Sequence, residues 1–190
     1  MDYYDSNLDI VYKNFLQIHR MGFPPNLIKK IFTQLNLALK ELLNYHIIHG
    51  NINPENILIK FNEDKTNFDS IITDYEFCEE YNENQSKKFK LGGTVYFIAP
   101  EVWKKNKDTY KRDLYGIGVT IYYLYFGKYP VTEVTVDPIS RNLSFKKDLM
   151  KIKDDAQLDD LVTKLLKENP DERITWKEYF EHQFFKQYEY

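Results

Sequence analysis

The sequence predicts a mainly α-helical domain: a helical bundle around a buried central helix, carrying one small β-hairpin. Three observations lead there. Apolar residues recur at helical spacing over residues 25–45, and residues 113–126 are apolar nearly all the way round. Two short β-rich runs, 57–60 and 70–73, are joined by a polar loop.

Taken in order, the stretch from Pro25 to Tyr45 places Ile28, Ile31, Phe32, Leu35, Leu39, Leu42 and Leu43 on one side of a helix, with Lys29, Lys30, Lys40 and Glu41 on the other. Pro25 suits its first turn, because the missing N–H of proline has no helical partner to lose there. The runs Ile57–Lys60 and Ser70–Thr73 predict the two strands of the hairpin. Their connection, FNEDKTNFD, is longer than a tight turn and reads as an insertion. DLYGIGVTIYYLYF, Asp113 to Phe126, has no polar face and so predicts a helix buried on every side, stopped by Gly127 and Pro130. Leu158, Leu161, Val162, Leu165 and Leu166 form a further amphipathic stripe. Thr175 with Glu178 is a capping box opening a last helix through Trp176, Tyr179 and Phe180. The stretch from Val131 to Asp155 carries no assignment.

A chain of 190 residues, 43% hydrophobic and 16% aromatic, suffices for one core, and no repeat or low-complexity linker divides it, so one domain over 1–190 is expected. A net charge of −3 gives no general attraction to nucleic acid or acidic membrane, and neither is expected as a partner. The one cysteine, Cys78, excludes an internal disulfide, and no apolar run reaches the roughly 18 residues needed to cross a bilayer. The expected setting is reducing, cytoplasmic or nuclear. His19, His46, His49 and His182 lie at no zinc-like spacing.

The informative segment is His49 to Asn56, HGNINPEN. Downstream stand TDYE at Thr73–Glu76, GGTVYFIAPE at Gly92–Glu101, DLYGIG at Asp113–Gly118 and NPDER at Asn169–Arg173. In this order and spacing the chain resembles the protein kinase superfamily of Ser/Thr type, whose members carry HRDLKPEN, DFG, GTxxYxAPE, DxWSxG and NPxxR. The first residues, MDYYDSNL, resemble the family's hinge running into the helix behind it. The resemblance implies a kinase-like C-terminal lobe, with the hinge at 1–8 and the C-lobe at 9–190, and Met1, Tyr3 and Leu58 against adenine. No glycine-rich GxGxxG and no VAIK lysine occur in these residues, so the N-lobe is expected to be missing. Met1 is either a true start or a boundary inside a longer reading frame.

Departures from the family pattern carry the functional expectation. Asn51 stands at the catalytic aspartate position and Asn53 at the lysine position, whereas Asn56 and Asp74 keep the two magnesium-ligand positions. An amide is not a base, and loss of a general base alone typically costs about 10²- to 10⁴-fold. Asn53 removes a positive charge beside the transferred phosphate. Gly50 replaces the arginine that in relatives receives an activation-loop phosphate, so phosphorylation of Ser86 or Thr94 should not act by that route. The resemblance gives structural roles to His49, to Asp113 and to an ion pair of Glu101 with Arg173. Asp74 is either a retained cation ligand or a leftover loop acid, and Glu76 adds a carboxylate nearby. Cys78 is expected to be passive.

The expected function is a pseudokinase, a protein-binding or scaffolding module with little or no phosphotransfer and weak or absent ATP and magnesium binding. Its partner, another protein or a second copy, would take the apolar floor around Tyr3, Leu8 and Leu58 left by the missing lobe. The alternative is an active Ser/Thr protein kinase, residual in activity or part of a longer chain. A third reading is an incomplete product without function.

Overall fold

The computed structural model describes residues 4–82, 95–103, 109–136 and 143–186. Its order begins with β1 (Ser6–Asn7), α1 (Leu8–His19), α2 (Pro25–Asn44), β2 (Ile47–Ile48), β3 (Ile57–Phe61), β4 (Phe68–Ile72) and β5 (Glu79–Glu80). It continues with α3 (Pro100–Trp103), α4 (Arg112–Phe126), β6 (Val131–Val136), β7 (Leu143–Lys147), α5 (Ala156–Leu165), α6 (Trp176–Phe180) and α7 (Gln183–Lys186). Among the described residues helices dominate, and the strands form three small antiparallel sheets, β1-β3-β4, β2-β5 and β6-β7.

Asn7 caps α1, its side-chain oxygen accepting the Ile10 N–H at 3.0 Å. α2 begins at Pro25 and buries Ile28, Ile31, Phe32, Leu35 and Leu39 of the stripe read from its spacing, with Leu42 and Leu43 half-buried at its end. The hairpin strands differ from Ile57–Lys60 and Ser70–Thr73 at three ends: β3 takes in Phe61, and β4 starts earlier, at Phe68, and stops at Ile72, one residue before Thr73, which leaves a loop of Asn62 to Asn67. Short polar side chains tie that loop to its own backbone, since Asn62 Oδ1 accepts the Asn67 N–H at 2.8 Å and Asp64 Oδ1 accepts the Thr66 N–H at 2.9 Å.

α4 is the axis of the fold. Every residue from Arg112 to Leu124 is buried, and Gly127 at φ 71° ends the helix. Burying Leu114, Ile117, Val119, Ile121 and Leu124 contributes about 1.5–3 kcal/mol per side chain. α2 and α5 pack against it, and α5 is capped by Asp155, whose carboxylate accepts the N–H groups of Gln157 and Leu158 at 2.9 Å each. The capping box of Thr175 and Glu178 is present at the start of α6. The β6–β7 hairpin falls in the stretch left unassigned, and its β-branched run Val131–Val136 is a strand signal that the sequence does contain.

A buried ion pair ties the segment before α6 to α3. Arg173, 2% exposed, places Nη1 at 2.6 Å and Nη2 at 2.8 Å from the two carboxylate oxygens of Glu101, 4% exposed. The remaining guanidinium hydrogens reach carbonyls, Nη1 that of Lys111 at 3.0 Å and Nε that of Lys167 at 3.0 Å. A bidentate pair with its other donors satisfied is one whose desolvation is well offset.

Two outcomes follow from this packing. Glu101→Ala leaves a buried guanidinium without its counter-charge and should lower unfolding stability by about 3–5 kcal/mol, read by urea titration. His182, buried beside α5, accepts the Phe184 N–H on Nδ1 at 3.2 Å and faces Asp160 Oδ2 with Nε2 at 3.0 Å. Burial outweighs the Asp160 carboxylate and holds its pKa below the ordinary 6.5. A lowered folded-state value means that its stability contribution is complete above the unfolded pKa and is lost as pH falls through it. The melting temperature should therefore drop between about pH 7.5 and pH 5.5, and less steeply in His182→Gln.

Candidate functional site

The candidate site is the loop from His49 to Asn56, held between α4 and the β3–β4 hairpin. Asp113, at the start of α4 and 4% exposed, accepts two backbone N–H groups from it, His49 on Oδ2 at 2.6 Å and Gly50 on Oδ1 at 2.8 Å. Hydrogen bonds to a charged acceptor contribute about 1.5–3 kcal/mol each. His49 is completely buried; its Nε2 lies 3.0 Å from the Thr73 carbonyl and its ring packs edge-on to Tyr75 at 5.3 Å. The loop is thereby joined to the helix on one side and to the turn carrying Asp74 on the other.

Local chemistry folds the second half. Asn53, 2% exposed, accepts the Glu55 N–H on Oδ1 at 2.9 Å and so caps the 3-10 turn Pro54–Asn56, with Pro54 at its first position. That leaves the Asn53 amide nitrogen to donate to Asn51 Oδ1 at 2.9 Å and to the Asn51 carbonyl at 3.2 Å. Asn51 Nδ2 in turn reaches Asp74 Oδ2 at 3.3 Å, and Asn56 Nδ2 donates to the Asn51 carbonyl at 3.0 Å. Asp74 has left-handed backbone, φ 66° and ψ 73°, a conformation uncommon outside glycine. Asn51, Asn53, Asn56 and Asp74 thus share one hydrogen-bonded network.

Other predicted residues fall differently. Met1 and Tyr3 lie outside the described residues, as do Ser86, Gly92, Gly93 and Thr94. Leu58 stands on β3, half-buried, between Asn7 of β1 and Ile71 of β4. Leu8 does not belong to an exposed floor: as the first residue of α1 it is 1% exposed and part of the main core. Cys78 is passive in a specific way: burial, with the Asp113 carboxylate second, pushes its thiol up to about 11, so little thiolate forms.

Arg112 is the residue that the sequence did not single out. It precedes Asp113 on α4, is 6% exposed, and sends its guanidinium toward Gly50. Gly50 has φ 79°, and a Cβ built there would stand 2.3 Å from Arg112 Nη2 and 2.6 Å from the Phe77 carbonyl oxygen. A small cavity of about 20 Å³, room for about one water molecule, adjoins them, lined also by Asn51, Phe97, Ala99 and Gly116. The space of a side chain at 50 belongs to an arginine contributed by the helix.

A magnesium ion favours six oxygen ligands in near-octahedral order. The loop brings together one carboxylate, Asp74, whose Oδ2 already accepts an amide N–H, and the amide Asn56. Among the described residues no group of three or more histidine, cysteine, aspartate or glutamate side chains could hold a metal ion. This donor set fits a resident cation poorly. Among the same residues no helix is long and apolar enough to cross a membrane.

Residues 1–185 match the protein kinase domain family. Relatives include the serine/threonine-protein kinase ATG1c of Arabidopsis thaliana, 32% identical over 88% of this chain and 23% of its own length. The probable serine/threonine-protein kinase fhkB of Dictyostelium discoideum is 39% identical over 84% of this chain and 14% of its own, and an Aurora kinase of Debaryomyces hansenii is 31% identical over 78% and 35%. The chain thus spans about a third or less of the length of these relatives.

At Gly50 the geometry sets a sharp expectation. Gly50→Ala should lose about 1–3 kcal/mol in a denaturant titration, from positive φ and overpacking together. Adding Arg112→Ala should restore only part of it, because the Phe77 carbonyl remains in place.

Proposed function

We propose, from the premise that this chain belongs to the protein kinase family, that it acts as a pseudokinase: a protein-binding or scaffolding module with little or no phosphotransfer. We take 1–190 as kinase-like throughout, hinge at 1–8 and C-lobe at 9–190. The observation that carries the reading is the Asn53–Asn51–Asp74 chain of hydrogen bonds, two neutral amides where the family holds an acid and an ammonium group.

Phosphoryl transfer depends on positioning and charge neutralisation around the phosphates, with a carboxylate receiving the hydroxyl proton. The Asn51 amide oxygen is already an acceptor for Asn53 and has no basicity to offer a substrate hydroxyl. The Asn53 nitrogen is spent on Asn51 and carries no charge toward a phosphate. The family uses ATP and magnesium in general. For this chain we expect such binding to be weak or absent, with Asn56 and Asp74 as the candidate metal ligands and Met1, Tyr3 and Leu58 as the candidate adenine contacts.

For the partner we propose a protein, another chain or a second copy, docking on the outer face of the β1-β3-β4 sheet. Leu58 and Ile71 stand side by side there, and Ile71 is 36% exposed. With Leu8 buried, this pair replaces it in the proposed contact. A second reading is a Ser/Thr protein kinase with residual phosphotransfer. It is favoured by Asp74 and Asn56 both remaining beside Asn51, and by the similarity to serine/threonine-protein kinases.

Thermal-shift titration with ATP, with and without magnesium, tests the reading beside a phosphotransfer assay on a generic substrate. We expect no turnover above background and little or no shift. Sustained γ-phosphate transfer, abolished by Asp74→Ala, would establish the second reading instead.

A further inference from the structure

The amide network has a direction, and a backbone group fixes it. The Glu55 N–H can only donate, so the Asn53 side chain must present Oδ1 to it, at 2.9 Å. Its Nδ2 is thereby turned to Asn51 and donates to Oδ1 there, at 2.9 Å. Asn51 is then left with Nδ2 facing outward, and that nitrogen meets Asp74 Oδ2 at 3.3 Å. Each amide has only one orientation that satisfies its neighbour. The end of the relay is a partly positive N–H laid against a carboxylate that elsewhere in the family meets a divalent cation.

We propose that Asn51 takes, toward Asp74, the place of a divalent cation: the relay Glu55–Asn53–Asn51 holds the Asp74 carboxylate from the protein side and makes the arrangement of this loop independent of metal. The inference rests on the pseudokinase reading of the same site and deepens it. It also accounts for two substitutions as one device. Asn53 supplies the cap and the donor that orient Asn51, which a lysine at 53, lacking an acceptor, could not do. Asn51 supplies a donor to Asp74, which an aspartate at 51 could not do; two carboxylates would meet at this distance and repel each other. The left-handed backbone at Asp74, φ 66°, is held in this way by contacts of the chain itself.

Melting temperatures of the full 190-residue chain, in EDTA and in millimolar magnesium chloride, decide the matter for wild type, Asn51→Asp and Asn51→Asp/Asp74→Asn. Wild type should melt at the same temperature in both buffers. Asn51→Asp should melt about 5 °C lower in EDTA and recover in magnesium, because the new carboxylate pair then has a cation. The double variant restores an amide N–H facing a carboxylate with the roles exchanged, and should return to within about 2 °C of wild type without metal. If Asn51→Asp does not fold, the double variant in EDTA decides: a soluble, cooperatively melting protein supports the relay, and an unfolded one overturns it. A wild type stabilised by magnesium, or a double variant no better than the single one, also overturns it. Phosphotransfer is assayed on the same wild-type sample. Turnover with unchanged metal-independent melting would remove the pseudokinase reading and leave the relay standing.

Discussion

Two hydrogen bonds from a loop to one buried carboxylate organise this molecule. Asp113 belongs to the first turn of α4, and its two oxygens are filled by the consecutive N–H groups of His49 and Gly50. A carboxylate with 4% exposure is stable only when such donors are aimed at it, so the helix and the loop cannot be placed independently. Once the loop is pinned at its start, His49 meets the Thr73 carbonyl and the Asp74 turn is drawn alongside. The positions of Asn51, Asn53 and Asn56 are consequences of that anchor.

Two arginines show how the rest of the core uses charge. Arg173 is surrounded by acceptors, the Glu101 carboxylate and the carbonyls of Lys111 and Lys167, and clamps the segment before α6 to α3 and to the N-terminus of α4. Arg112, one residue before Asp113, fills the volume beside Gly50. The loop therefore contacts α4 through a carboxylate and a guanidinium from adjacent residues of one helix turn. In the candidate site itself the pattern is reversed: apart from Asp74 the side chains of the network, Asn51, Asn53 and Asn56, are neutral amides joined by hydrogen bonds.

The apolar frame is conventional by comparison and serves to hold these polar contacts. Tyr96, Tyr129 and Tyr123 stack at 4.5 and 4.9 Å, and Tyr123 reaches Tyr12 at 5.0 Å, a continuous aromatic column from the segment before α3 to α1. The Tyr123 hydroxyl ends on Asp9, itself paired with Lys13 at 2.7 Å. α1 is fixed to α4 by this column, and the short β1 that precedes α1 is paired with β3 on the other side.

Periodicity and punctuation were legible in the sequence because they are local. The α2 stripe, the all-round apolar α4 with Gly127 at its end, and the capping box of Thr175 and Glu178 each depend on residues within a few positions of one another. The identities of Asn51 and Asn53, amides where the family pattern leads one to expect an aspartate and a lysine, were legible in the same way. What tertiary structure alone decided was contact between distant segments. The burial of Leu8, the pairing of β6 with β7 and the entry of Arg112 beside Gly50 are set by how α1, the hairpins and α4 pack, and hydrophobic packing has no direction along the chain. The orientation of the Asn51 amide belongs to the same class, because an asparagine has two ends of equal size and only its partners in space fix which one faces Asp74.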